Sequence, residues 1–95
     1  MPEIEVSRAD VEQSLSRFHV RVADDDGALE YDVTLSRADH ERLATAYPSP
    51  DAFIRGCFVF LLEREPKESI LASFDVSQIS TYFPEFEKTI VGSTD

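Results

Sequence analysis

Few residues in this 95-residue chain are able to do chemistry, and their spacing limits what that chemistry can be. His19 and His40 are the only imidazoles, and Cys57 is the only thiol. A zinc site needs Cys, His, Asp or Glu at ligand spacing, and neither histidine has such a neighbour. His19 sits between Arg17 and Arg21 on what reads as the polar face of a strand, and His40 lies near a helix start. Cys57 falls inside the apolar run Phe53 to Leu62, where burial raises a thiol's pKa and leaves it an inert packing residue. A nucleophilic triad would need Cys57 or a serine beside one of the histidines, and no spacing supports that.

The carboxylates give no stronger signal. Asp24-Asp25-Asp26-Gly27 invites a Ca²⁺ loop, which requires Gly at its sixth position and Glu at its twelfth. Counted from Asp24, those positions hold Leu29 and Leu35, so a hairpin turn accounts for the run. Glu63 with Glu65, and Glu85 with Glu87, read as solvated helix ends, not as acid–base pairs. Three scattered glycines make no phosphate loop. Catalytic, cofactor and metal residues are therefore expected to be absent, and the chain is read as a non-enzyme. The rival enzymatic reading is a site centred on His40 with acidic neighbours at a dimer cleft.

Charge narrows the partners. Nine Lys+Arg against nineteen Asp+Glu leave a net charge of −10. Phosphate contacts come from Lys and Arg, and no ten consecutive residues here hold more than two of them. A folded patch of Arg17, Arg21, Arg37 and Arg42 would sit in a strongly negative field. A nucleic-acid-associated regulator is thus the second alternative. The longest uncharged stretch, Val76 to Pro84, is about half of a membrane span. Glu3, Glu5 and Asp10 leave no apolar signal segment near Met1. A lone Cys excludes an internal disulfide framework. These features favour the cytoplasm.

The elements that must position these residues begin with a β-hairpin over about 16–35. Phe18, Val20 and Val22 share one face, and Leu29, Tyr31, Val33 and Leu35 alternate without a break. The Asp26-Gly27 step suits a turn with positive φ. Two registers keep the apolar faces together, one placing Val22 opposite Leu29 and the other placing it opposite Tyr31. The first also sets Arg21 against Glu30 and His19 against Asp32, and complementary cross-strand charges favour it. Ser36 then caps a short helix through Ala46, and Ser49-Pro50-Asp51 starts another. That helix, about 50–64, is apolar almost all round and must be covered on several sides. Gly56 within it implies a close approach by another element.

Beyond Pro66 the spacing predicts a short helix over Lys67 to Ser73. Asp75 is expected to cap another, with Gln78 at the capping-box position, and Pro84 starts a last segment that Gly92 can close. Before Arg17, the spacing of Val11, Leu15 and Phe18 predicts a short helix, although Ile4 and Val6 alternate like a strand. The aromatic step Tyr82-Phe83-Pro84-Glu85-Phe86 is the strongest remaining feature. Exposed, Tyr82, Phe83 and Phe86 would anchor a partner; buried, they would close the core over the apolar helix.

The stretch Phe58 to Glu87, FVFLLEREPKESILASFDVSQISTYFPEFE, resembles the C-terminal block of a group of small bacterial proteins of unknown function. The resemblance covers about a third of the chain and extends to the layout of the preceding hairpin and short helix. It implies a compact bacterial domain, with residues 1–13 a variable N-terminal extension. It carries over no catalytic residue, ligand or partner. The expectation is a single α+β domain over 1–95: a hairpin packed on four or so helices, with helix 50–64 at the centre. Its expected role is that of an acidic, cytoplasmic, non-catalytic interaction module that binds a protein partner or a second copy of itself. A two-stranded hairpin is marginal alone, so its edges need cover from the N-terminal segment or from a homodimer.

Overall fold

A computed structural model describes residues 2–11 and 15–91 of the chain. Strict alternation makes the hairpin as the sequence predicts. Strands β2 (Leu15–Asp24) and β3 (Gly27–Ser36) pair antiparallel, with Val22 opposite Leu29, Arg21 opposite Glu30 and His19 opposite Asp32. Gly27 closes the turn at φ +127°, a conformation that disfavours any residue with a Cβ. Phe18, Val20 and Val22 of β2 and Tyr31, Val33 and Leu35 of β3 are all buried on one face. The other face carries Arg17, His19, Arg21, Glu30 and Asp32, the polar side that an antiparallel sheet can turn to water.

The helix predicted before Arg17 does not form there. Glu3–Val11 is strand β1, antiparallel to β2, with Ile4 opposite Val22 and Val6 opposite Val20. A strand along β2 satisfies that strand's open row of backbone groups, which a helix would leave exposed. The alternation of Ile4 and Val6 was therefore the true signal. The spacing of Val11, Leu15 and Phe18 straddles two strands and has no helical meaning. The register slips between Arg8 and Asp10, and Arg8 reaches Asp51 at 3.2 Å. The N-terminal segment thus supplies the first of the two covers expected for the hairpin.

Capping serines act where expected. Ser36 Oγ accepts from Asp39 N–H to start α1 (Arg37–Leu43), which tightens into a 3₁₀ turn over Ala44–Ala46. Ser49 Oγ accepts from Ala52 N–H to start α2 (Pro50–Leu62). Helix α2 lies against the apolar face of the sheet and buries Phe53, Ile54, Cys57, Phe58, Phe60 and Leu61. Burying one Phe, Leu or Ile contributes roughly 1.5–3 kcal/mol, and α2 alone supplies five such side chains. The close approach expected at Gly56 is made by Tyr47. A Cβ at Gly56 would lie 3.2 Å from the Tyr47 ring and 3.5 Å from Ile90. The Tyr47 hydroxyl, donating to the Ile90 carbonyl at 2.7 Å, pins that ring in place.

The helix predicted over Lys67 to Ser73 is instead a single 3₁₀ turn, Lys67–Ser69, followed by strand β4 (Ser73–Asp75). Pro66 and Ile70 flank the turn in extended conformation. Ile70 and Phe74 both reach the core, and the extended backbone offers Ser73–Asp75 to the open edge of β3, whose hydrogen-bonding groups a continued helix could not satisfy. Strand β4 runs parallel to β3, so the sheet order is β1-β2-β3-β4. Helices α3 (Ser77–Tyr82) and α4 (Phe86–Ile90) complete an α+β fold. The closure expected at Gly92 lies outside the described residues, as do residues 12–14. No helix among the described residues is long and apolar enough to cross a membrane.

Candidate functional site

The segment between α2 and α3 has two chemically different sides. Toward the hairpin it presents Lys67, whose side chain is almost wholly buried. The Lys67 ammonium donates to both carboxylate oxygens of Asp24, at 2.9 and 3.0 Å, and to Glu68 at 3.0 Å. The Tyr31 hydroxyl donates to the Lys67 carbonyl at 2.7 Å. Asp24 and then Glu68 push the ammonium up to about 12, while the ammonium holds both carboxylates below their usual range. The acidic turn therefore does bind a cation, but an internal one. Asp24 fastens the hairpin tip to the chain leaving α2, and a buried charge must be paired in this way.

On its other side the same segment borders an open groove of about 340 Å³. Apolar positions at the end of α2, in the 69–71 stretch and along α3 form its walls. Ile79 and Phe74 are buried within it, Phe83 is half-buried, and Leu71 and Tyr82 stand on the rim at 47% and 63% exposure. Local bonds hold α3 as the far wall. Asp75 N–H donates to the Gln78 carboxamide oxygen, the half of the capping box that the Asp75/Gln78 spacing predicts, while the Asp75 carboxylate accepts from Ser77 N–H instead of Gln78 N–H. Among the described residues, Glu65, Ser69 and Gln78 are the polar side chains of the lining, beside the hydroxyl-bearing Tyr82.

The three aromatic residues singled out from sequence do not act together. Tyr82 and Phe83 line the groove. Phe86 is fully buried, edge-on to Phe60 with ring centroids 5.1 Å apart, and is not available to a partner. Phe60 also meets Phe83 at 5.9 Å, and the Arg64 guanidinium lies 3.6 Å from the Phe60 ring centroid. This stack anchors the groove wall to the core. Leu71 and Glu65 are the groove residues that sequence reasoning missed. Leu71 entered the sequence reading only as an apolar position beside Ile70 in the predicted short helix, and Glu65 only as a solvated helix end.

The remaining chemical candidates are dispersed. His19 is clamped on the open sheet face between Glu30 at 2.8 Å and Asp32 at 3.2 Å, and its pKa is raised, Asp32 first among the causes. His40 lies on α1, half-buried, and lines neither this groove nor the second one between β1 and α2. Cys57 is buried, and burial pushes its thiol well above the ordinary range. Glu85 pairs with Arg64, and Glu87 with Arg42, which holds the Glu87 carboxyl low. Three of the four arginines considered as a basic patch are spent on carboxylates: Arg21 on Glu5, Arg37 on Glu41, and Arg42 on Asp39 and Glu87. Among the described residues no three His, Cys, Asp or Glu side chains converge as a metal-binding set. Comparison with protein-family models, curated proteins and solved structures finds no match for the chain.

Proposed function

We propose that this chain is a non-catalytic interaction module that holds an apolar segment of another protein in the groove between α2 and α3. The observation that carries the reading is the exposure of Leu71 and Tyr82 on the rim of a groove already floored by buried apolar side chains. Tyr is enriched among residues that anchor partners. The groove's size falls within the range of ligand pockets. The net charge of −10 adds long-range steering toward basic partners.

The chemistry-bearing residues favour binding over turnover. His19 has both ring nitrogens engaged by carboxylates, and the Cys57 thiol is sealed in the core. With β1 covering β2, a second copy is no longer required to complete the hairpin. The test is an NMR titration of the labelled protein with peptides selected on it from a random display library. Shifts confined to residues around Leu71, Tyr82 and Phe83, and abolished by Tyr82→Ala, support the reading. Selected peptides that bind the Tyr82→Ala protein equally well would refute it.

A further inference from the structure

Among the described residues the groove lining holds one carboxylate, Glu65, and no cation pairs with it. Two cations lie close by in sequence, and both are committed elsewhere. Arg64 is held by Glu85 at 3.2 Å and Glu63 at 3.5 Å while packing on Phe60. Lys67 is turned away from the groove, into the Asp24–Glu68 pair. Among the described residues Glu65 makes no ion pair, yet it is half-buried beside Leu61 and Ile70 in an otherwise apolar lining. A carboxylate next to apolar surface, with its neighbouring cations already pinned, is complementary to a cation brought by a ligand.

Two further polar groups suit a peptide. The Gln78 carboxamide oxygen is taken by Asp75 N–H, which leaves its amide hydrogens to donate to a ligand carbonyl. Ser69 brings a hydroxyl to the same lining. Apolar walls with one acceptor for a cation and separate groups for a backbone describe a protein segment, in which apolar side chains flank a base.

We propose that the segment held in this groove carries a Lys or Arg beside its apolar anchors, and that this cation pairs with Glu65. The proposal rests on the groove reading above and specifies its ligand. Its mechanism is simple: the apolar side chains enter between Tyr82, Phe83 and Leu71, and the base meets the carboxylate at the end of α2. The cation then gains a charge-assisted bond that a neutral side chain of the same length cannot make.

The experiment is selection of a random phage-displayed peptide library on the wild-type protein and on Glu65→Gln, followed by affinity measurements on synthetic peptides. Wild type is expected to enrich Lys or Arg adjacent to aromatic or aliphatic residues, and Glu65→Gln to keep the apolar preference and lose the basic one. Replacing the selected Lys by norleucine should weaken binding to wild type by roughly tenfold or more, with little change against Glu65→Gln. Peptides that are apolar without a basic preference, and still dependent on Tyr82, would overturn the cation while leaving the groove in place. Peptides indifferent to Tyr82→Ala would remove the groove and the cation together.

Discussion

The chain between α2 and β4 faces two environments, and it treats charge differently in each. On the hairpin side the Lys67 ammonium is buried and meets two carboxylates, with the Tyr31 hydroxyl closing the turn's carbonyl. On the groove side, two residues earlier in the chain, Glu65 is half-buried in an apolar lining and makes no ion pair among the described residues. The same division recurs in the aromatic step. Phe86 is sealed against Phe60, and Tyr82, four residues before it, is 63% exposed. A buried charge or ring that lacked partners would destabilise the fold, so the closed side is complete in itself. The open side is under no such constraint. Its incompleteness is the feature on which the proposed groove reading rests.

Breaking the closed side should cost the most. Phe86→Ala is expected to destabilise by about 3–5 kcal/mol, the usual range for truncating a fully buried Phe. Urea denaturation measures this directly, and a loss under about 1 kcal/mol would mean that the ring is not a core residue. Lys67→Met comes next, because it leaves Asp24 and Glu68 facing each other without a cation. It should lower Tm by several degrees, and adding Asp24→Asn should recover part of that loss. A Tm unchanged by Lys67→Met would show that the hairpin tip is fastened by other means.

The same cluster sets a pH dependence whose sign follows from the shifts. Asp24 and Glu68 titrate below their ordinary values of 3.8 and 4.5. Their contribution is therefore present above those values and is lost as pH falls through the lowered ones. Lys67 is raised from 10.5 to about 12, so its share persists below 10.5 and fades as pH rises toward 12. Thermal melts of wild type and Lys67→Met should converge at both extremes. A gap between them that is independent of pH would assign the effect to packing.

Smaller still is the share of His19 on the open sheet face. Its raised pKa gives a contribution that is complete below pH 6.5 and declines as pH rises through the raised value. His19→Gln should flatten a shallow Tm trend across neutrality, since an exposed cluster of this kind is weak. Least of all, Tyr82→Ala and Leu71→Ala should change stability by no more than about 0.5 kcal/mol, as exposed positions usually do. If either destabilises like Phe86→Ala, the groove rim belongs to the closed side and the contrast disappears.

The local order of residues was enough to determine the hairpin, its register and the capped starts of α1 and α2. In each case neighbours a few residues apart decide the outcome: alternation, opposed charges, a serine three positions before an amide. Strand β1 was harder to read because the two apolar spacings around Ile4 and Val11 compete. Only the presence of an open β2 edge settles that competition. Strand β4 was not legible at all, since three residues of parallel pairing depend on where β3 already lies. The same holds for the site. The sequence singled out Tyr82, Phe83 and Phe86 as equals, and nothing local separates them. Tertiary packing divided them by supplying Phe60 as a partner for Phe86 and leaving open space beside Tyr82. Composition likewise announced a large negative charge, much of which is spent on pairs with Lys67, Arg42 and Arg64. That a carboxylate of the groove wall is left without a cation was decided only when the folded chain turned Lys67 inward and set Glu65 in the lining.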